Sequence, residues 1–256
     1  MIISIINHTD GKIKDEELLH AIRAINRQIL EDFEPYWSMG AVLRLEGHSK
    51  SRINSDNPVD MRGDAIIYLQ NSAKQKDLKD TLGYHDLNYR GIPFGVVFTD
   101  LSDELQEPWS VTLSHEALEL LADPEINLMV AGPHPTDKRR EVFHWYEMCD
   151  AVQDEYYLID GIQVSNFVLP LYFTGGDEVG GRNDFLGNLE QNRSLTSFGV
   201  NRGGYIGYYD PKDRKHHTFA MKDDQRADER MRIKNKAKLT RRSNRYKRNH
   251  AKGRQY

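Results

Sequence analysis

The sequence predicts an α+β fold: a mixed sheet with a backing helix and a second, buried helix, then an irregular lobe and a basic tail. Three observations predict it. Strand-like and helix-like apolar periodicities alternate up to Pro124; short extended pieces separated by turns and paired glycines take over beyond it; and from Arg230 onward every acidic or basic residue is basic. On this reading residues 1–124 form the first lobe, residues 125–210 a second lobe that completes a cleft, and residues 211–256 a charged, disordered tail, basic from 230.

Met1 to Ile6 is apolar and rich in β-branched residues and ends at the turn cluster Asn7-His8-Thr9-Asp10-Gly11, which makes it a buried first strand. Between Lys14 and Glu34, Leu18, Ile22, Ile25, Ile29 and Phe33 recur at steps of four, three, four and four, giving one core-facing stripe on a helix that Pro35 stops. Ala41 to Leu45 reads as the second strand, and the polar segment from Gly47 to Gly63 as an exposed excursion. Ala65 to Leu69 is the third strand. After a polar stretch and the tetrapeptide Gly83-Tyr84-His85-Asp86, Pro93 to Thr99 is the fourth, placed at a sheet edge because its opening proline lacks an N–H. Trp109 to Ala122 is the second helix, closed by Asp123-Pro124 because the residue before a proline is pushed out of the helical region. Glu141 to Met148, Tyr156 to Ile159 and Val164 to Leu169 read as extended pieces of the second lobe.

A chain of 256 residues with 38% hydrophobic residues can bury a core, which excludes a disordered polymer, although a mean hydropathy of −0.71 gives it a strongly polar surface. No stretch approaches the roughly 18 apolar residues of a membrane span. The run at Met1 to Ile6 is too short for a signal peptide and has no basic flank, so the expectation is an unexported, cytoplasmic protein, or a virion-associated one if phage-encoded. The single cysteine, Cys149, permits neither an internal disulfide nor a cysteine zinc cage and reads as a small buried residue; any metal must be held by His and carboxylates. The net charge of −4 hides an asymmetry: residues 230–256 carry 12 Lys/Arg and no Asp/Glu, leaving 23 basic against 39 acidic residues before them. Such a tail suits nucleic acid or another polyanion, with Arg241, Arg242, Lys247 and Arg248 as candidate contacts and a steep salt dependence. The alternative is a tail that is merely solvated or docks on an acidic surface, its own or a partner's.

The second helix carries the chemistry. At about 100° per residue, Thr112, His115, Glu116, Glu119 and Asp123 share one arc about 100° wide, while Val111, Leu113, Ala117, Leu118, Leu120, Leu121 and Ala122 cover the other directions, with Ser114 as the polar exception. A divalent cation would offset the repulsion of the gathered carboxylates. Residues at i and i+4 project side by side, so His115 and Glu119 can grip one ion while Glu116 leans toward a water, in the layout of an H-E-x-x-H helix with Glu in place of the second His. Glu116 is then the candidate general base, Glu147 the candidate third ligand from outside the helix, and Asp150 the residue that orients a ligand. His85 and Tyr84 are reserves that complete the coordination or stabilise an oxyanion. The plainer alternatives are an amphipathic helix with its polar arc in water, a loop histidine at 85 and a turn carboxylate at 150.

The order of elements up to Pro124 resembles the N-terminal lobe of the zincin metallopeptidases: a twisted mixed sheet, a backing helix, an edge strand over the cleft, then the active-site helix, with Pro93 to Thr99 as the edge strand here. Gly83-Tyr84-His85-Asp86, Ser114-His115-Glu116-Ala117-Leu118-Glu119, Ile126-Asn127-Leu128, Glu147-Met148-Cys149-Asp150, Val164-Ser165-Asn166-Phe167-Val168 and Gly203-Gly204-Tyr205 also look like segments of a set of bacterial and phage proteins, a likeness over residues 1–210. By position the zincin resemblance implies His115 as first ligand and Glu116 as base; Glu119 departs from the second His, and Glu147 follows by analogy with zincins that use a distant Glu. It implies a metal-dependent hydrolase acting on a peptide or related amide, with zinc, or manganese, or no ion, at a set of one His and two carboxylates. The competing expectations are a catalytically silent zincin fold serving as a virion or assembly component, its tail on nucleic acid, and an accessory protein acting through a partner.

Overall fold

The computed structural model describes residues 1–47, 63–72, 83–87, 91–175, 181–190 and 192–236, and they form an α+β architecture. The first lobe is a five-stranded sheet of β1 (Ile2–His8), β2 (Val42–Gly47), β3 (Ala65–Gln70), β4 (Gly83–Leu87) and β5 (Pro93–Phe98), in the order β2-β1-β3-β5-β4. β1 runs parallel to β2 and β3, β3 parallel to β5, and β4 antiparallel to β5. The edge is therefore not β5, as the proline suggested. Pro93 opens the strand opposite Leu87, where a missing N–H is tolerated, and the short polar segment Gly83–Leu87 takes the edge.

Both expected helices form, on one face of this sheet. The stripe of Leu18, Ile22, Ile25, Ile29 and Phe33 is buried against Ile3, Ile5, Ile67 and Leu69, together with Leu113, Ala117 and Leu120 from the second helix. The first helix does not stop at Pro35: α1 (Asp15–Arg27) passes into a π-helical turn at Gln28–Phe33 and then into α2 (Glu34–Trp37), where Pro35 sits in the first turn and needs no hydrogen-bonded N–H. β5 leads directly into a short helix that the sequence did not signal, α3 (Thr99–Glu104), and then comes α4 (Trp109–Ala122). The opposite face of the sheet holds a smaller cluster of Ile6, Ile66, Tyr68, Val96 and Phe98.

The second lobe contains a four-stranded antiparallel sheet of β6 (Met129–His134), β7 (Asp137–Trp145), β10 (Ile206–Asp210) and β11 (Lys215–Phe219), in the order β11-β10-β7-β6. β8 (Tyr156–Ile159) and β9 (Ile162–Ser165) form a separate hairpin. Met148, Phe167, Val168 and Leu169 belong to the same apolar cluster as α1 and α4, so the two lobes share one core. Residues 211–236, expected in the disordered tail, hold β11 and α5 (Gln225–Lys236), because β11 pairs with β10 along its whole length and Ala227 and Arg230 of α5 are buried. Arg241, Arg242, Lys247 and Arg248 lie outside the described residues. Among the described residues no helix is long and apolar enough to cross a membrane.

Leu113 is fully buried where α4 meets the sheet. Leu113→Ala is expected to cost about 2–5 kcal/mol of unfolding free energy in a denaturant titration, the usual range for emptying such a site.

Candidate metal centre

Every residue of α4 from Ser110 to Ala122 is buried, including His115, Glu116 and Glu119. The polar arc faces the second lobe, not water. Ser114, the exception on the apolar side, has a partner for each role: its hydroxyl donates to Gln28 Oε1 at 2.6 Å and accepts from the Ser165 amide at 3.1 Å, while Gln28 Nε2 donates to the Ser165 carbonyl at 2.7 Å. Gln28 stands where α1 passes into the π-helical turn, so α4 is fixed to the end of α1 and to β9 one residue before His115.

Opposite the helix, a 3₁₀ turn at Asp150–Val152 presents Asp150. His115 Nε2 lies 3.2 Å from Glu119 Oε1 and 3.4 Å from Asp150 Oδ1. One donor atom from each of these three residues falls within 4.8 Å of the other two, and all three residues are buried. A set of one imidazole and two carboxylates is a chemically sensible cradle for a divalent ion, whose charge the two carboxylates would balance. Glu119 Oε1 also accepts the Cys149 amide at 3.3 Å. Burial works against a charged imidazole, but the Glu119 charge and the hydrogen bonds that His115 donates to Asp150 and Glu119 outweigh it and push the His115 pKa up to about 10.

The residue that joins His115 and Glu119 in this cluster is Asp150, which the sequence reading held as an orienting residue. Glu147 is buried three residues earlier and shares with Asp150 a small cavity walled by His144, Trp145, Tyr172 and Phe173. Glu116 is buried on α4, close enough to contribute to raising the Tyr205 and Cys149 pKa values. Asp123, in the same arc, accepts the amides of Asn127 at 3.0 Å and Leu128 at 3.1 Å, which closes the C-terminal end of α4. Tyr84 and His85 fall on β4 in register with Val96 and Gly95. Burial pushes the Cys149 thiol well up, which suits a packing role and not a nucleophile.

Sequence reasoning missed Tyr205 and His144. The Tyr205 hydroxyl is buried and hydrogen-bonded to Asp150; burial, then the Asp150 charge and this bond, push its pKa well up. His144 Nε2 lies 2.9 Å from the Pro133 carbonyl oxygen, and burial lowers its pKa. The signal for Tyr205 was the preceding glycine pair. Gly203 has φ +76°, and a Cβ on Gly204 would collide with the Ala151 carbonyl oxygen. This close approach lets the Tyr205 amide donate to the Asp150 carbonyl at 3.0 Å and the Asn201 amide to Ala151 at 3.0 Å.

In comparisons of the chain with family models, curated proteins and solved structures, none matches.

Two outcomes are expected. Gly204→Ala should push the loop away from the Asp150 turn and lower stability by about 1–3 kcal/mol, as overpacking does, read by thermal or denaturant unfolding. In the metal-free protein the raised His115 pKa adds stability in full below its ordinary value of 6.5, and that contribution is lost as pH rises through about 10. The stability gap between wild type and His115→Gln should therefore shrink as pH is raised over that interval in parallel denaturation curves.

Proposed function

We propose that this chain is a metal-dependent hydrolase of the zincin type, in which His115, Glu119 and Asp150 hold one divalent ion and Glu116 acts as general base on a peptide-like amide. The observation that carries the reading is the convergence of three buried donors from two separate segments, α4 and the Asp150 turn, within 4.8 Å. The order of elements supports the zincin-like part: a mixed sheet backed by α1, an antiparallel edge strand β4, and then the helix with the H-E-x-x-E sequence.

A divalent ion, zinc before manganese, would supply Lewis acidity to a substrate carbonyl and acidify a water. The chain's own groups do the rest. Glu116, adjacent to His115 on the helix, takes the proton from the attacking water and returns it to the leaving amine. Tyr205 holds the Asp150 carboxylate through its hydroxyl, and the Cys149 amide holds Glu119, so both acids are oriented before any ion arrives. β4, which carries Tyr84 and His85, is the edge strand along which an extended substrate would lie.

A second reading, an inactive assembly protein, draws on one specific observation: an imidazolium between Glu119 and Asp150 is already charge-compensated without an ion. The two separate cleanly. Purified full-length protein is expected to bind one equivalent of zinc, and Glu119→Gln and Asp150→Asn should each weaken binding by more than the ~10–100-fold typical of losing an outer partner. Glu116→Gln should keep the metal and lower amide hydrolysis by about 10²–10⁴-fold. Native-like protein that takes up no divalent ion, in metal analysis after dialysis against zinc and against manganese, overturns the hydrolase reading in favour of the scaffold.

A further inference from the structure

We propose that Arg230 on α5 is a positioning residue for this centre, clipping together the segments that carry its donors. Its functional meaning rests on the metal-site reading above; its structural part does not.

The Arg230 side chain is only 5% exposed, although it opens the most basic stretch of the chain. Its guanidinium reaches three places. Nη2 pairs with Glu107, two residues before α4 begins. The same nitrogen bonds Asp154 Oδ1 at 3.0 Å, in the segment that follows the Asp150 turn. Nη1 donates to the Gly203 carbonyl at 2.7 Å, two residues before Tyr205. These contacts brace the entry to the helix with His115 and Glu119, the turn with Asp150 and the loop with the tyrosine that holds Asp150.

The rest of α5 reinforces the clip. Arg226 Nη1 donates to both carboxylate oxygens of Asp154, at 2.7 and 2.8 Å, and Asp224, just ahead of the helix, accepts the Gly203 amide at 2.6 Å and the Ala227 amide at 3.1 Å. Gly203 is therefore held at both of its backbone polar groups, by Arg230 at the carbonyl and Asp224 at the amide. The planar fork of arginine fits three acceptors in different directions; a lysine ammonium at the end of a flexible stem does not reproduce that geometry.

The sole cysteine supplies a readout that needs no metal, because Cys149 is buried beside Asp150 and its amide bonds Glu119. The test compares full-length wild type, Arg230→Gln and Arg230→Lys, with Ile66→Val and Ile66→Ala on the far face of the sheet to bracket the loss of global stability. Two quantities are read: the rate at which an aromatic disulfide reagent modifies Cys149 under native conditions, and zinc affinity by competition with a chromophoric chelator. Arg230→Gln is expected to raise the labelling rate and weaken zinc binding, each by about tenfold or more, beyond controls of equal stability. Arg230→Lys should fall between Arg230→Gln and wild type. If Arg230→Gln labels no faster than a control of matched stability, or if it fails to fold and Arg230→Lys labels as wild type does, the clip is overturned. A wild type that binds no zinc sinks the metal reading alone, and the labelling rates still decide the clip.

Discussion

The constraint on which the rest of this structure depends is the burial of α4 with an imidazole and several carboxylates on it. A helix closed off from water along nearly its whole length cannot leave such groups uncompensated, since an isolated charge in a low-dielectric interior costs several kcal/mol. The protein answers with local partners. Glu119 receives a backbone amide, His115 sits between two carboxylates, Asp123 closes the turn after the helix, and Ser114 is absorbed into a network with Gln28 and Ser165.

Seen from α4, the second lobe supplies the remaining partners of the buried groups: Asp150 for His115 and the Cys149 amide for Glu119. It contributes Asp150 from a 3₁₀ turn and Tyr205 from the position just before β10. What holds them is backbone-to-backbone contact between residues 150–151 and 201–205, possible because Gly204 has no side chain, and the docking of α5 on Asp154 and Gly203. The two lobes are accordingly one unit in packing terms, with Met148 and Phe167 in the same apolar cluster as Leu113 and Ile25.

Much of this was legible in the sequence where the signal is local. The five-residue stripe of the first helix and the boundaries of α4 follow from periodicity and proline placement, and each is reproduced in the packing. The rank of β4 and β5 in the sheet was not legible, because strand order is set by partners distant in sequence and Pro93 is equally acceptable as the first residue of an inner strand. The charge run misled in a different way. Arg230 opens it, yet its environment is decided by Glu107, Asp154 and Gly203, far away along the chain.

The sequence by itself determined the α+β class, the two helices and the pairing of His115 with Glu119, because an i, i+4 relation on a helix is fixed by the backbone repeat. Only the tertiary structure decided that Asp150 joins His115 and Glu119, that Tyr205 reaches it, and that residues 225–236 fold back as α5. The physical reason is the same in each case: these contacts join segments with no fixed spacing between them. Turn geometry, the space beside a glycine and the need to offset a buried charge select the partner, and none of those is written in a local repeat.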